Sequence, residues 1–123
     1  MIKSENQTKA DPDIIKIASE YVKRLEAKQV PLAQVILYGS QARGSAGFDS
    51  DIDILVVVDV LDKSVYKTIV DEAFEVSLQF GVDLIAVPCD RQEYELPLFR
   101  ADHFYKNIDQ AYYVRSVFRA FFK

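Results

Sequence analysis

The first clear pattern along the chain is a helical repeat of apolar residues after a polar beginning. Residues 1–10 are polar and lack periodicity, which predicts a flexible N-terminal tail. Asp11 and Pro12 then form the pattern of a helix N-cap followed by proline at the first helical position. Apolar residues recur at helical spacing from there, with charged residues mostly opposite: Ile14, Ile15, Ala18, Tyr21, Val22 and Leu25. We therefore predict an amphipathic helix that ends near Gln29, before Pro31.

Two apolar runs farther along the chain predict buried strands. Residues 35–38 end at Gly39, which indicates a strand that enters a turn. Residues 51–58 begin with acidic positions and end in an unbroken apolar run, which is typical of a strand covered on both faces. Between the two strands, residues 40–44 predict a short helix and residues 45–47 a mobile loop.

A second long helical pattern follows, and a third strand comes after it. Ser64 is the expected N-cap and Gly81 the expected C-terminal stop of a helix over residues 64–80. The residues expected to face inward are Val65, Ile69, Ala73, Phe74 and Leu78. Residues 82–87 predict a strand that Pro88 ends.

The pattern beyond Pro88 is less regular. Residues 96–108 have mostly helical spacing, and residues 111–114 fit either an edge strand or the start of a last helix. Basic residues four positions apart favour a helix at the end of the chain: Arg115, Arg119 and Lys123. Together the elements predict one α/β (α+β) domain over residues 11–123, with helices packed against a small sheet.

Composition sets the size and class of this domain. With 123 residues, half of them hydrophobic, the chain has the length of one domain with its own core, and a separate substrate-binding domain does not fit. The net charge of −4 and the pI of about 4.9 argue against non-specific nucleic-acid binding, which relies on a basic surface. Cys89, expected in a loop after Pro88, is the one cysteine, so no intrachain disulfide forms. With no signal peptide or membrane-spanning run, these features indicate a cytoplasmic protein.

Candidate chemistry begins with Asp51 and Asp53 on the second predicted strand. Strand side chains alternate between faces, so both carboxylates point the same way, with Cα atoms roughly 6.5 to 7 Å apart. Two such carboxylates repel each other unless a cation lies between them. Mg²⁺ suits the pair, because it binds one or two carboxylates together with water and phosphate oxygens. The alternative is that both are solubilising residues at a strand end.

Gly39 and Ser40 lie upstream, where the first predicted strand gives way to the short helix. Glycine lets the backbone approach a phosphate closely, and exposed amides with the Ser40 hydroxyl can donate hydrogen bonds to it. The alternative is a simple turn with an N-cap. Asp83 is the single charge in the third predicted strand, where a lone carboxylate is costly unless it is paired or bound to metal. It is a candidate third ligand or general base, or else an acid that bonds to backbone.

These residues form a recognisable motif. Gly39-Ser40-Gln41-Ala42-Arg43-Gly44, followed after five residues by Ser50-Asp51-Ile52-Asp53, resembles the signature of the DNA polymerase beta-like nucleotidyltransferase superfamily. The likeness is strongest to the minimal nucleotidyltransferases (MNT) of bacteria and archaea and covers most of residues 33–87. It implies a small mixed sheet flanked by helices, the nucleotidyltransferase fold.

The same resemblance implies two Mg²⁺ ions and a nucleoside triphosphate, usually ATP. Asp51, Asp53 and Asp83 would hold the metals. Gly39 and Ser40 would contact the triphosphate. Arg43 would support the loop or the phosphates, unless it is a surface residue of the short helix. Ser50 would cap the turn or contact the nucleotide.

The reaction that the resemblance implies is attack by an acceptor hydroxyl on the α-phosphorus, with release of pyrophosphate. MNT proteins often act as antitoxins to a small helical HEPN toxin, which they neutralise by binding it or by adding AMP to a tyrosine. The expected partner is therefore a helical HEPN-type protein. Two alternatives stay open: a non-catalytic binding module of the same fold, and a small-molecule transferase such as an aminoglycoside or lincosamide nucleotidyltransferase.

The C-terminal segment is rich in aromatic residues beside Arg115 and Arg119. These residues are Tyr105, Tyr112, Tyr113, Phe118, Phe121 and Phe122. Aromatic residues with arginine suit the core of a protein interface, with a partner or in a homo-oligomer. The alternative is ordinary packing of a final helix or strand onto the sheet.

Overall fold

The computed structural model describes residues 9–44, 51–96 and 111–116. Its elements in chain order are α1 (Pro12–Ala27), β1 (Leu32–Tyr38), α2 (Gly39–Arg43), β2 (Ile52–Val58), α3 (Lys63–Phe80), β3 (Leu84–Asp90), α4 (Arg91–Tyr94) and β4 (Tyr112–Ser116). Most of the predicted N-terminal tail, the predicted loop, nearly all of the predicted helix over 96–108 and residues 117–123 lie outside the described residues.

The strands form one mixed sheet in the order β3-β2-β1-β4. β1 pairs antiparallel with both β2 and β4, whereas β2 pairs parallel with β3. A parallel pair needs a crossover connection, and α3 supplies it. The predicted class, a small mixed sheet flanked by helices, is confirmed. The expectation that β2 is covered on both faces is also confirmed, since its last five residues are all buried.

The first helix forms as its pattern predicts. The Asp11 carboxylate accepts a 2.7 Å hydrogen bond from the Asp13 amide, which satisfies one of the amides left unpaired at a helix start. Pro12 occupies the first helical position. The buried residues of α1 are Ile14, Ile17, Ala18, Tyr21, Val22 and Leu25. This face packs on α3 and on one face of the sheet.

The third helix differs from its prediction in its start and in its rotation. Asp62, not Ser64, is the N-cap, and its carboxylate accepts a 2.8 Å hydrogen bond from the Val65 amide. Phe74 and Leu78 were expected to face inward, yet both are exposed. The buried residues are Ile69, Glu72, Ala73 and Val76. Because α3 carries apolar residues along two stripes, periodicity alone did not identify the one that packs on the core. Gly81 ends the helix with a φ of 66°, as predicted.

Polar contacts fix α1 against α3 beside the core. The buried Glu72 carboxylate lies 3.4 Å from the Arg24 guanidinium and 3.6 Å from the Lys28 ammonium. The Tyr21 hydroxyl donates a 2.8 Å hydrogen bond to the Ile69 carbonyl. Burial, and secondarily the Glu72 charge, raise the pKa of Tyr21 far above its usual value. Tyr21 is therefore neutral and acts as a hydrogen-bond donor between the two helices.

Two strand predictions need correction. β3 continues through Pro88 to Asp90, because proline is tolerated on an edge strand where its missing N–H would face away from the neighbour. Cys89 is accordingly a buried strand residue and not a loop residue. The prediction of a helix around Arg115 is wrong for the described residues, which end at Ser116. Tyr112–Ser116 form edge strand β4 on β1, which is the other option that the pattern allowed.

The sheet separates the core into two parts. On one face, α1 and α3 cover a large cluster that includes Ile54, Val56 and Leu84. On the other face, a smaller cluster contains Ile36, Leu55 and Tyr94 beside α4. None of the helices in the described ranges has the length and apolar character needed to cross a membrane.

Candidate active site

Asp51 and Asp53 lie at the beginning of β2, on the less covered side of the sheet. Asp51 is exposed and directly precedes the strand, while Asp53 is half-buried within it. The intervening Ile52 is fully buried in the large cluster under α1 and α3. Since strand side chains alternate, the two carboxylates project from the face opposite that cluster. They therefore share one side of the sheet.

The electrostatics of the pair favour a bound cation. Burial, and secondarily the charge of Asp51, raise the pKa of the Asp53 carboxyl above its usual value. A cation between the two groups would reverse this destabilisation of the ionised form. Carboxylate oxygens are hard ligands, and Mg²⁺ takes such oxygens together with water and phosphate. The donor set that is present thus fits Mg²⁺.

Gly39 brings the backbone of the adjacent strand end against Asp53. Tyr38 is the register partner of Asp53 across the β1–β2 pair, and Gly39 follows it with a φ of 76°. A Cβ on Gly39 would lie 2.6 Å from the Asp53 Oδ2 atom, which is closer than real Cβ contacts allow. The backbone conformation therefore favours glycine here, and a Cβ would have to displace the Asp53 carboxylate. The backbone at Gly39 therefore lies directly beside the Asp53 carboxylate.

Tyr38 is a site residue that the sequence reasoning missed. Its side chain is half-buried on the same face as Asp53, because paired residues of adjacent strands share a face. Burial, and secondarily the Asp53 charge, raise the pKa of the Tyr38 hydroxyl, which keeps it neutral. It forms a wall beside the carboxylates. The sequence feature that could have indicated Tyr38 as a site residue is its position directly before Gly39, at the end of a predicted strand.

The remaining residues of the glycine-containing segment are only partly described. Gly39 and Ser40 begin α2, as the pattern predicted for this segment, and Ser40 is partly exposed. Gly44 follows α2 in the left-handed region with a φ of 72°. Arg43 is the last residue of α2, but its side chain, like the whole of Ser50, lies outside what the structure describes. Their expected contacts with nucleotide stay predictions.

Asp83 lies beside Asp51 at the same end of the sheet. The expected pairing of its strand with residues 51–58 is confirmed: Ile52 is the register partner of Leu84, and the Ile52 amide donates a 2.8 Å hydrogen bond to the Asp83 carbonyl. Asp83 is, however, an exposed residue just before β3, not a carboxylate within an apolar strand. An exposed carboxylate pays no cost of burial, so burial gives no reason to expect a metal at Asp83. The reason to consider Asp83 is its position beside Asp51 and Asp53.

Asp51, Asp53 and Asp83 are not arranged to bind one metal ion with all three carboxylates. Across residues 9–44, 51–96 and 111–116, no three His, Cys, Asp or Glu side chains are placed so that they could hold one metal ion. A metal at Asp51 and Asp53 would thus need ligands from water or from a phosphate. Asp83 as a third ligand stays a prediction.

Comparisons with known proteins agree with this geometry. The family model described as a nucleotidyltransferase domain matches residues 15–111. A candidate protein adenylyltransferase of Methanocaldococcus jannaschii is 36% identical over 73 residues, which are 58% of this chain and 69% of that protein.

Solved structures share the fold at low sequence identity. A toxin–antitoxin crystallised with AMP-PNP is similar with a TM-score of 0.54 and 18% identity, over 83% of this chain and 76% of that one. A complex of a tri-AMPylated HEPN toxin with its MNT antitoxin, from Shewanella oneidensis, gives a TM-score of 0.50 at 18% identity, over 86% of this chain and 76% of that one. With the family model spanning all of the described site, this chain belongs to the nucleotidyltransferase domain family.

Proposed function

We propose that this protein is an Mg²⁺-dependent nucleotidyltransferase that moves AMP from ATP onto a hydroxyl of a partner protein, as the MNT antitoxin of a HEPN toxin. The observation that carries the proposal is the contact between Gly39 and Asp53. It puts the backbone close beside a carboxylate pair in which burial and the Asp51 charge disfavour the ionised form of Asp53. A metal-bound triphosphate has the chemistry that completes this arrangement.

Different residues would bind the metal and the triphosphate. Asp51 and Asp53 would hold the metal through their oxygens. The backbone at Gly39 and the Ser40 hydroxyl would orient the triphosphate by hydrogen bonds. When bound, Mg²⁺ would offset charge on the phosphates and make the phosphorus more open to attack.

The proposed transfer is a substitution at the α-phosphorus of ATP. A bond forms between the acceptor oxygen and the α-phosphorus, and the bond from that phosphorus to the bridging oxygen breaks. The bridging oxygen leaves with pyrophosphate. The proton of the acceptor hydroxyl passes to a nearby carboxylate, and Asp83 is exposed beside Asp51, where it can accept that proton.

A protein acceptor is supported by the relatives. The archaeal relative is described as a candidate protein adenylyltransferase, and the fold neighbours were crystallised in toxin–antitoxin assemblies, one with an AMPylated toxin. An HEPN-type partner would therefore present the hydroxyl. The net charge of −4 fits a protein or nucleotide substrate better than a nucleic-acid backbone.

The test compares the fate of the α-phosphate and the γ-phosphate of ATP. The purified protein is incubated with Mg²⁺, a lysate of its host and ATP labelled at either the α- or the γ-phosphate. We expect one protein band that carries the α-label and not the γ-label, since pyrophosphate leaves. Asp53→Asn should abolish the band. Asp59→Asn is the matched control, because Asp59 follows the opposite end of β2 and forms an exposed pair with Arg91 at 2.9 Å.

The outcomes separate the alternatives. Label in a small molecule and in no protein would indicate an antibiotic-type transferase. Absence of label, together with partner capture that survives Asp53→Asn, would replace the enzyme with a non-catalytic binding module.

A further inference from the structure

An apolar stripe runs along the exposed side of α3. Tyr66, Val70, Phe74 and Leu78 follow one another at four-residue spacing, and their exposed fractions lie between 41 and 65%. Single exposed apolar residues are ordinary, but an aligned row on one helix marks an interaction surface. This stripe is the second apolar face of α3, the one that the core does not use.

The stripe continues onto the outer strand of the sheet. A groove of about 380 Å³ separates α3 from β3, with Val70, Phe74 and Leu78 on one wall and Leu84 and Ala86 among the residues of the other. Across β3, on the opposite face of the sheet, Ile85 and Val87 are 45% and 40% exposed. Apolar surface therefore lies on both faces of the sheet along the same strand.

Within the described ranges, the outer edge of β3 pairs with no other strand and offers few hydrogen-bonding groups. Because the Asp83 carbonyl bonds to β2, alternation directs the polar groups of residues 84, 86 and 88 away from β2. The Leu84 amide already donates a 3.0 Å bond to the Ser77 hydroxyl, and Pro88 has no N–H. Of these three positions, only Ala86 keeps both an outward N–H and an outward carbonyl for another chain. A long strand from another chain would therefore form few hydrogen bonds along this edge.

We propose that this surface binds a second copy of the chain, about a two-fold axis that passes between the Ala86 residues of the two copies, perpendicular to the sheet. About such an axis the two β3 strands run antiparallel. Ala86 and Ala86 of the second copy exchange both hydrogen bonds, which uses the one fully open position of each edge. Ile85 of each copy then lies opposite Val87 of the other, so the exposed pair on that face is buried.

The same axis also pairs the helices. The bond from Leu84 to Ser77 fixes the level of α3 relative to β3. Ala86 is two residues, or about 6.6 Å, farther along the strand, which corresponds to about four residues back along the helix. The axis therefore passes beside Ala73 and Phe74. The apolar stripe of one copy packs there against the stripe of the other, in the antiparallel sense.

The contact closes on itself about this axis. Each copy offers the same strand edge and the same apolar residues to the other, so both features suit one two-fold arrangement.

The first test is the oligomeric state of the full chain by sedimentation equilibrium. We expect a dimer, and Phe74→Asp should raise its dissociation constant by about 30-fold or more, as for a central aromatic of an interface. Val60→Asp is the matched control, because Val60 is also an exposed apolar residue but lies outside the surface. It should leave the dimer intact. Since both residues are exposed, both variants should keep the circular dichroism spectrum of the unmodified chain.

The second test uses the strand edge. Ile85→Asp should also weaken the dimer, because Ile85 lies opposite Val87 of the other copy. A monomeric unmodified chain would overturn the proposal, including a monomer whose α3 surface binds a different protein. A dimer indifferent to Phe74→Asp would overturn it too. None of these readouts depends on nucleotidyl transfer.

Discussion

The Asp53 Oδ2 atom lies 2.6 Å from the point where a side chain on Gly39 would begin. This contact joins the two halves of the motif in space, the glycine at the end of β1 and the second acid of β2. It also places the Gly39 backbone beside the carboxylate that we propose as a metal ligand. The closeness of these two residues leads to the first prediction.

Gly39→Ala should abolish Mg-ATP binding, because its Cβ would displace the Asp53 carboxylate. Gly81→Ala is a matched control: Gly81 has a similar φ of 66°, but nothing lies within 4 Å of its Cβ position. Both variants should lose stability, by roughly 1 to 3 kcal/mol, from the strained backbone. Only Gly39→Ala should lose binding, as measured by calorimetric titration. Equal nucleotide affinity in the two variants would contradict the proposed role of this contact.

Metal should invert the pH dependence that Asp53 contributes. A carboxyl whose pKa is raised in the folded state binds more protons there than in the unfolded chain, so stability falls as pH rises from its usual value of 3.8 through the raised one. Without divalent cations near neutral pH, Asp53→Asn should therefore melt no lower than the unmodified protein. Mg²⁺ should raise the melting temperature of the unmodified protein only. A variant that melts lower without metal would show that Asp53 stabilises the fold by itself.

Asp83→Asn should separate catalysis from stability. Asp83 is exposed, so its replacement should change the free energy of unfolding by less than about 0.5 kcal/mol. If it accepts the proton of the acceptor, the transfer rate should fall by roughly 10² to 10⁴. Single-turnover transfer assays beside thermal melts measure both. Full transfer activity in the variant would remove Asp83 from the catalytic residues.

Glu72→Ala should act on stability alone. The carboxylate is buried between Arg24 and Lys28, so its loss removes the acceptor that both cations share beside the core and should cost about 1 to 3 kcal/mol. The adjacent exposed acid Asp71, in an i,i+4 pair with Lys67, gives the control, and Asp71→Ala should cost no more than about 0.5 kcal/mol. Denaturant unfolding measures both. Equal losses would mean that the buried cluster does not bind α1 to α3.

The sequence predicted the parts of the fold that depend on local signals. The Asp11 cap, the start of α1 and the stop at Gly81 depend on residues that make their own hydrogen bonds or adopt special backbone angles. The shared side of Asp51 and Asp53 follows from strand alternation alone. The signature from Gly39 to Asp53 was readable for the same reason, since both of its halves lie next to recognisable strands.

The features that the sequence did not predict depend on distant parts of the chain. The rotation of α3 was ambiguous because it has two apolar stripes, and only the position of the sheet decides which one is buried. β4 is a strand because β1 offers it a free edge, a partner far away in sequence. β3 passes through Pro88 because that residue points away from β2. The role of Tyr38 emerged only from its register with Asp53.

The most direct test of the central claim is transfer of label from α-labelled ATP to a purified HEPN-type partner, with Mg²⁺. The account predicts that one tyrosine or other hydroxyl of the partner gains the mass of AMP, that Asp59→Asn retains this activity, and that Asp53→Asn loses it. An unmodified partner that nevertheless binds the intact protein tightly, and binds Asp53→Asn equally well, would contradict the claim.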